Sequence, residues 1–373
     1  MNTKKEIKEK KTLLITGGAG FIGCHTVRHF VEKYPEWDII CVDALTYAGN
    51  MENLKDVIGK DNFTFVELDI RDANFINALF KEHHIDYVIH LAAESHVDRS
   101  MVNPTLFAET NIVGTLNLLN AAKTNWGTFP ESLDTHIFIN MGTDEIFGAL
   151  EETDFPFDED TPFNPHSPYS ASKTAAVQFG LTYRTAYKLP IINVACGNAI
   201  GPNQFPEKLV PLTIDRLVNK KEIPIYGAGL QIRDWTYVGD IVNCFDTILD
   251  KWVEVFRVVP LICIGGDNEK RNIQMVHALI KEYANQTGED EKELKKLITY
   301  IGDPRGDSHD FRYAIDHSFI TRISGWKPQK TFDEIVHETV KWYLENQDWV
   351  ARVKSREYKQ WMEDFYGFNR EQE

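Results

Sequence analysis

The feature that most constrains this chain is an alternation in its first half between short, nearly continuous apolar runs and longer amphipathic ones. TLLIT (12–16), DIICVD (38–43), FTFVEL (63–68), YVIHLAA (87–93) and HIFINM (136–141) are short and rich in β-branched residues, as strands buried on both faces of a parallel sheet must be. Between them stand segments of helical length and pattern, such as FIGCHTVRHFVEKY and FAETNIVGTLNLLNAAK. Parallel strands joined by helices close through right-handed crossovers, so the pattern predicts an α/β fold with a Rossmann-like, doubly wound parallel sheet. A further helix is expected from Tyr169 to Lys188, then a strand through IINVAC. After Gly197 the rhythm gives way to loops rich in Pro and Gly (GPNQFPEKLVP, PIYGAGLQIRDW, GDPRGDSHDFRY), which predicts a smaller C-terminal α/β lobe over the sheet. The expected division is residues 11–197 as the dinucleotide-binding sheet domain, with 238–263 returning to it. Residues 198–237 and 264–348 then form the substrate-binding lobe, and 349–373 a surface tail.

Gly17-Gly18-Ala19-Gly20-Phe21-Ile22-Gly23 follows the first strand and opens a helix. In such a GxxGxxG turn, glycine permits the tight bend, lets the backbone approach a pyrophosphate, and lets helix and strand pack closely. The helix N-terminus adds free N–H groups and the positive end of its dipole. Asp43 ends the second strand, about twenty positions beyond Gly23. A carboxylate there accepts hydrogen bonds from an adenosine ribose and repels a 2′-phosphate, which predicts NAD rather than NADP. Asp69-Ile70, after the third strand, is expected to meet the adenine, with a helix-capping aspartate as the alternative.

The formal net charge of −16 argues against nucleic acid as a partner, since a phosphate backbone needs a basic face. It leaves room for a local basic site that holds a small anion. The five cysteines (Cys24, Cys41, Cys196, Cys244 and Cys263) are scattered, mostly in apolar runs, with no CxxC spacing. They are expected to be buried thiols, with no metal site. No stretch is long and apolar enough to span a membrane, and the basic N-terminus MNTKKEIKEKK runs directly into a strand without an apolar signal core. These features predict a cytoplasmic protein without a membrane partner.

Tyr169-Ser-Ala-Ser-Lys173 places its tyrosine and lysine on one face of a helix. Beside a nicotinamide, the lysine ammonium and the positive charge of the cofactor would lower the tyrosine pKa. The phenolate then takes a hydroxyl proton while hydride leaves the same carbon. Thr143-Asp144-Glu145 follows the fifth strand at its C-terminal end, where open α/β sheets hold ligands. On spacing alone it reads equally as an N-capping acidic turn.

Together these features resemble the extended short-chain dehydrogenase/reductase family, NAD-dependent epimerases and dehydratases, over almost the whole chain, and its sugar-nucleotide 4,6-dehydratases most closely. The segments that carry the resemblance are DALTYAGN (43–50), HLAAESHVDRS (90–100), ETNIVGTLNLL (109–119), GTDEIFG (142–148), SPYSASK (167–173), GPNQFPEKLVPL (201–212), PIYG with QIRDW (224–235), GDNEKRNI (266–273) and HDFRYAID (309–316). The resemblance implies NAD and a nucleotide-activated hexose, dTDP-glucose first among candidates. It implies a hydro-lyase reaction in deoxysugar biosynthesis: C4 oxidation, loss of water across C5 and C6, and hydride return to C6. By the same resemblance Asp144 protonates the departing hydroxyl, Glu145 removes the C5 proton, and Thr143 bonds near O4 and assists Tyr169. The chemistry demands that Asp144 stay protonated while Glu145 stays ionised, which adjacent carboxyls achieve through unequal environments.

For the cofactor, the resemblance adds Phe21 and Ile22 to the glycines, and Ala44, Leu45 and Thr46 to Asp43. It also implies Leu91, Ala92, Ala93, Ser95 and Thr110 beside Tyr169 and Lys173. For the sugar nucleotide it implies Arg233 at the diphosphate and Glu207, Lys208 and Leu209 near the sugar. Asn198, Asn268, His309 and Tyr313 would line the nucleotide pocket and Tyr226 lie beside the base, with Ser95 where cofactor and sugar meet. Helices at about 105–123 and 169–187 match those that pair as a four-helix bundle in the family, which implies a homodimer.

The chain also departs from the family pattern. NMGTDEIFG stands where ISTDEVYG is usual, so Gly142 lacks a hydroxyl near the nicotinamide. Cys196-Gly-Asn-Ala-Ile-Gly-Pro202 stands for CSNNYGP, with Ala199 and Ile200 in place of asparagine and tyrosine. PRGDSHDFRY stands for RPGHDRRY, with Phe311 in place of an arginine, and loss of that guanidinium would weaken or re-aim diphosphate contacts. Two other readings stay open: a UDP-sugar 4-epimerase or decarboxylase in which Asp144 and Glu145 are structural, and a non-catalytic NAD-binding regulator.

Overall fold

The structure is a computed structural model that describes residues 10–127, 135–251, 255, 259–306 and 309–354. Its strands, in chain order, are β1 (Thr12–Thr16), β2 (Asp38–Asp43), β3 (Phe63–Glu67), β4 (Tyr87–His90), β5 (Ile137–Met141) and β6 (Ile191–Cys196). They continue with β7 (Asn198–Ile200), β8 (Ile223–Tyr226), β9 (Ile232–Tyr237), β10 (Leu261–Ile264), β11 (Glu269–Arg271) and β12 (Ile298–Ile301). Seven of them form a parallel sheet in the order β10-β6-β5-β4-β1-β2-β3. The central strands are buried throughout because helices cover both faces. On one face Val27, Phe30, Phe245 and Ile248 pack against the sheet, and on the other Leu79, Phe80, Leu118 and Leu119. The chain winds outward from β1 through β2 and β3, then returns to place β4 on the other side of β1. That reversal opens a crevice at the carboxyl ends of β1 and β4, where such sheets bind ligands.

β1, β2 and β6 span their apolar runs as read, whereas β3 and β5 are one residue shorter and β4 three. β4 ends at His90, whose ring is fixed between Thr16 Oγ1 (2.7 Å) and Thr115 Oγ1 (2.9 Å). Leu91, Ala92 and Ala93 then leave the ladder to pass close beneath Gly17. The helix expected over 105–123 is three pieces: Pro104–Phe107, a wide π-helical turn at Ala108–Gly114, and Thr115–Trp126. The turn brings the Asn111 amide inward to the Glu94 carbonyl (3.0 Å) and Ser172 Oγ (2.9 Å), and such turns concentrate at functional sites. The helix Pro168–Tyr187 starts sharply because Ser167 and Ser170 form a reciprocal cap and Pro168 occupies its first turn.

The smaller lobe holds β11-β9-β7 and the pair β12-β8, around a core that includes Ile214, Met275, Leu279, Val340 and Tyr343. Between its two segments the chain crosses back through the helix Val238–Asp250 to β10, which pairs with β6 at the edge of the main sheet. The helix Gln347–Val353 packs into this core through Trp349 and Val350, and Trp349 Nε1 donates to Asn53 Oδ1 (2.8 Å). A surface tail therefore cannot begin at residue 349, and residues 355–373 lie outside the described ones. All five cysteines are buried and unpaired. Among the described residues no helix is long and apolar enough to cross a membrane, and no cluster of acidic, His and Cys side chains is arranged to hold a metal ion.

Candidate active site

The glycine loop is a cradle that side chains would fill. Gly17 has φ +69°, and a Cβ there would fall 2.7 Å from the Ala92 backbone. A Cβ on Gly23 would fall 2.0 Å from the Gly17 carbonyl. Gly20 caps the helix Phe21–Lys33 without any side-chain bond, so the amides of its first turn are left for an anion to satisfy. Asp43, 8% exposed, accepts from the Ala19 amide (2.9 Å) and the Leu45 amide (2.8 Å), and so ties the loop to the end of β2. Each carboxylate oxygen keeps a lone pair for a ribose hydroxyl. This cradle, with its helix N-terminus and buried carboxylate, fits a dinucleotide.

Asp69 lies farther out, with its carboxylate forked onto the Arg71 guanidinium (2.6–3.1 Å), while Ile70 is buried against Gly114. The helix cap at Ala73–His83 is Asp72 rather than Asp69. Gly17, Gly20, Gly23, Ala44, Leu45, Thr46, Ala92 and Thr110 also lie outside the lining of the main cavity.

That cavity, about 330 Å³, opens between the sheet and the smaller lobe. Phe21, Ile22, Leu91, Ala93, Ser95, Tyr169 and Lys173 line it from the sheet side. Thr143, Asp144 and Glu145 enter at the end of β5, and Asn198, Glu207, Lys208, Leu209, Tyr226, Arg233, His309 and Tyr313 enter from the lobe. Asn268 is not among them: its amide nitrogen is bonded to the Gly266 carbonyl (2.7 Å) and the Trp235 carbonyl (3.3 Å), where it shapes the loop after β10.

Tyr169 hydrogen-bonds Thr143, and burial, then the charge of Glu145, pushes its phenol above the ordinary value. The expected help from lysine takes another form. Lys173 Nζ donates to the Met141 carbonyl (2.6 Å) at the end of β5, and burial lowers its ammonium to about 8. The tyrosine is therefore not acidified by its neighbour alone.

Asp144 and Glu145 occupy unequal environments. Thr143 caps the single turn Asp144–Phe147, so the segment is both an N-capped turn and a wall of the cavity. Asp144 is 2% exposed, and burial followed by the charge of Glu145 raises its carboxyl to about 8. Burial raises Glu145 too, but Arg305, Lys208 and Arg233 all draw it back toward the ionised form. Burial thus raises both carboxyls, but three cations oppose the rise at Glu145 and only Arg233 among them does so at Asp144.

In the lobe, Arg233 is 6% exposed, stacks on Tyr313 (4.1 Å) and donates to the carbonyls of Ile232, Asp310 and Phe311. Lys208 Nζ donates to the Ser95 carbonyl (2.8 Å), and Tyr47 donates to Glu207 Oε1 (2.9 Å). Burial raises Glu207 to about 7, against the pull of Lys208. His309 pairs with Asp303, and burial, then Arg305 and Arg233, lowers its imidazole to about 4. Tyr226 donates to Asp98 Oδ2 (3.0 Å).

Arg305, His96, Gln204, Trp235 and Asn272 also line the cavity and were not singled out in the sequence. Arg305 bonds Asp98 and brings a guanidinium to the cavity from the same segment as Phe311. The signals were present, since His96 and Asp98 sit in HVDRS and Arg305 in PRGDSHDFRY. Of the departures, Gly142 lines the cavity where a Cβ would press on the Val194 carbonyl at 3.0 Å, and Ala199 lines it too. Ile200 instead packs into the lobe core.

Residues 14–339 match the family model described as GDP-mannose 4,6 dehydratase. The chain is 44% identical over 363 residues to a dTDP-glucose 4,6-dehydratase of Shigella flexneri, across 95% of this chain and 98% of that protein. Among solved structures, a dTDP-glucose 4,6-dehydratase from Bacillus anthracis in complex with NAD superposes with a TM-score of 0.79 at 35% identity, covering 92% of this chain and 100% of that one. A dTDP-glucose 4,6-dehydratase from Streptomyces venezuelae, with NAD bound, gives 0.81 at 34% identity over 92% and 100%.

Proposed function

The chain belongs to the dTDP-glucose 4,6-dehydratase family, and from that membership we propose that it converts a nucleotide-activated hexose, dTDP-glucose first, to the 4-keto-6-deoxy sugar. The observation that carries the reading is the inequality of Asp144 and Glu145 in one cavity with Tyr169. A 4-epimerase has no use for a buried carboxylic acid held neutral near pH 7, whereas a dehydratase needs one.

NAD, held by the glycine cradle and Asp43 with Lys173 and Tyr169 alongside, supplies a hydride acceptor that also returns the hydride. Tyr169 takes the proton from the C4 hydroxyl, with Thr143 bonded to its phenol oxygen. Burial and the charge of Glu145 hold that phenol up, and a bound NAD would bring positive charge beside it that favours the phenolate. Ketone formation at C4 makes C5–H acidic, and Glu145, whose carboxylate form Arg305, Lys208 and Arg233 favour, removes that proton. Asp144 gives its proton to the C6 hydroxyl, which leaves as water. Arg233, Arg305 and Lys208 supply the local positive charge that a diphosphate requires in a chain of net charge −16.

The sheet domain of residues 11–197 with 238–263 carries the cofactor in this reading, and the lobe of 198–237 and 264–348 the sugar nucleotide. Met101, Val102, Val113 and Tyr187 expose apolar surface on and beside the helices Thr115–Trp126 and Pro168–Tyr187. That surface supports a homodimer through a four-helix bundle, to be checked by light scattering.

The deciding experiment offers dTDP-, UDP-, CDP- and GDP-glucose to the purified protein and follows product mass. Loss of one water from the dTDP sugar, with the alkali-induced absorbance of a 4-keto-6-deoxy product, is expected. An isomer of unchanged mass would make the enzyme an epimerase, and no conversion of any sugar would leave an NAD-binding protein without this activity.

A further inference from the structure

Three details meet behind Asp144. Its Oδ1 takes the Thr143 hydroxyl at 3.2 Å, but its Oδ2 is buried without a hydrogen-bond partner. Thr236, on β9 and with no exposed surface, also has an unpartnered hydroxyl. It projects from the opposite side of that strand to Arg233 and Trp235, which line the cavity. Between the two unpartnered oxygens lies Gly197. A Cβ there would stand 3.1 Å from the Asp234 carbonyl oxygen, 3.4 Å from Thr236 Oγ1 and 3.7 Å from Asp144 Oδ2. Three oxygens thus converge within 4 Å of one point beside Gly197, where no side chain stands between them, and buried waters typically bind through two to four such polar partners.

We propose that this point holds one water, bound by Thr236 Oγ1 and the Asp234 carbonyl, which donates a hydrogen bond to Asp144 Oδ2 and makes Thr236 a positioning residue for the acid. The proposal rests on the reading of Asp144 as the group that protonates the departing hydroxyl. A neutral carboxyl carries its hydrogen on one of two oxygens. A donor held at Oδ2 keeps that oxygen an acceptor and leaves the hydrogen on Oδ1, the oxygen beside Thr143. Without the donor, the hydrogen can settle on Oδ2 and point toward Gly197, out of reach of the sugar. The same bond favours the carboxylate over the acid, so it also makes the proton easier to release.

Three variants test this. Thr236→Val keeps the shape and removes the hydroxyl, Thr236→Ser keeps the hydroxyl, and Gly197→Ala puts a methyl group at the water's place. Single-turnover water loss from dTDP-glucose is followed by mass across pH, with C4 oxidation read separately from reduced-nicotinamide absorbance. In Thr236→Val and Gly197→Ala, water loss is expected to slow by about tenfold while C4 oxidation stays within about twofold. Their alkaline limb moves to higher pH, because a lost hydrogen bond to the carboxylate raises the acid's pKa. Thr236→Ser restores both rate and limb. Wild-type rates in both disruptive variants overturn the proposal, as does a slower rate with an unmoved limb or a failure of serine to rescue. Asp144→Asn separates the two levels. If it loses water at the wild-type rate, the acid reading itself falls. If it is slow while Thr236→Val and Gly197→Ala match wild type, only the water is wrong.

Discussion

Asp144 and Asp246 are both nearly inaccessible, at 2% and 7%, yet their surroundings do opposite things to them. Asp246, on the helix Val238–Asp250, accepts from His29 Nε2 (2.9 Å), the Tyr34 hydroxyl (2.6 Å) and the Lys33 ammonium, all on or just after the helix Phe21–Lys33. Burial pushes its carboxyl up, but these three partners outweigh it and hold the group at about 2. Asp144 has one neighbouring hydroxyl, no protein donor at Oδ2 and an acidic neighbour, and it rises to about 8. A buried carboxyl given a full set of donors joins two helices. One with no cationic donor bonded to it holds a proton that it can give away, which is what a general acid needs.

If that contrast is right, the two aspartates respond differently to the same isosteric change. Asp144→Asn is expected to slow water loss by roughly 10²–10⁴-fold, with reduced nicotinamide accumulating because C4 oxidation continues. It should not destabilise the fold. Asp246→Asn should leave the rate of water loss unchanged and lower the unfolding free energy by about 2 kcal/mol, measured by denaturant titration. A stable, fully active Asp246→Asn would remove the structural half of the comparison, and a fully active Asp144→Asn the functional half.

The pH responses also run in opposite directions. The elimination rate should fall as pH rises through about 8, where Asp144 loses its proton. Stability carries both signs. Asp246 sits below its ordinary value of 3.8, so its contribution is complete above about 4 and is lost as pH falls toward 2. Asp144 sits above 3.8, so its contribution is complete below that value and is lost as pH rises to about 8. Asp144→Asn should therefore melt above the wild type at pH 8 and Asp246→Asn below it. Equal shifts for both variants would mean that partners do not distinguish the two sites.

What could be read from the sequence follows the range of each interaction. The glycine turn, Asp43, the Tyr169–Lys173 spacing and the Thr143–Glu145 triplet are local, and each is set by a strand end or a helical repeat within a few residues. The strand alternation is local as well, so the parallel sheet was legible. Asp246 was not, because its partners lie 212 to 217 positions away on another helix. Arg305 and Asp98, 207 positions apart, were missed for the same reason although each stood inside a quoted motif. The lysine was half legible: the helix repeat aligns it with Tyr169, but only the fold brings the Met141 carbonyl to its ammonium. Asn268 falls outside the cavity lining because its amide is taken up by backbone carbonyls that no spacing reveals.

The smallest expected effect asks how far the stability around Asp246 is shared. Tyr34→Phe removes one hydroxyl, 2.6 Å from Asp246 Oδ1, and leaves His29 and Lys33 in place. Its ring keeps its stacking on Trp37 (4.1 Å) and Phe30 (5.6 Å), so the change isolates a single donor. The cost should be about 1 kcal/mol in denaturant titration, with water loss unaffected and the Asp246 carboxyl titrating at higher pH because one bond to its charged form is gone. A loss equal to that of Asp246→Asn would mean that the tyrosine alone carries the junction and that His29 and Lys33 are spectators. A loss near zero would mean that the two cations suffice, and the distinction from Asp144 would then rest on charge rather than on the number of donors.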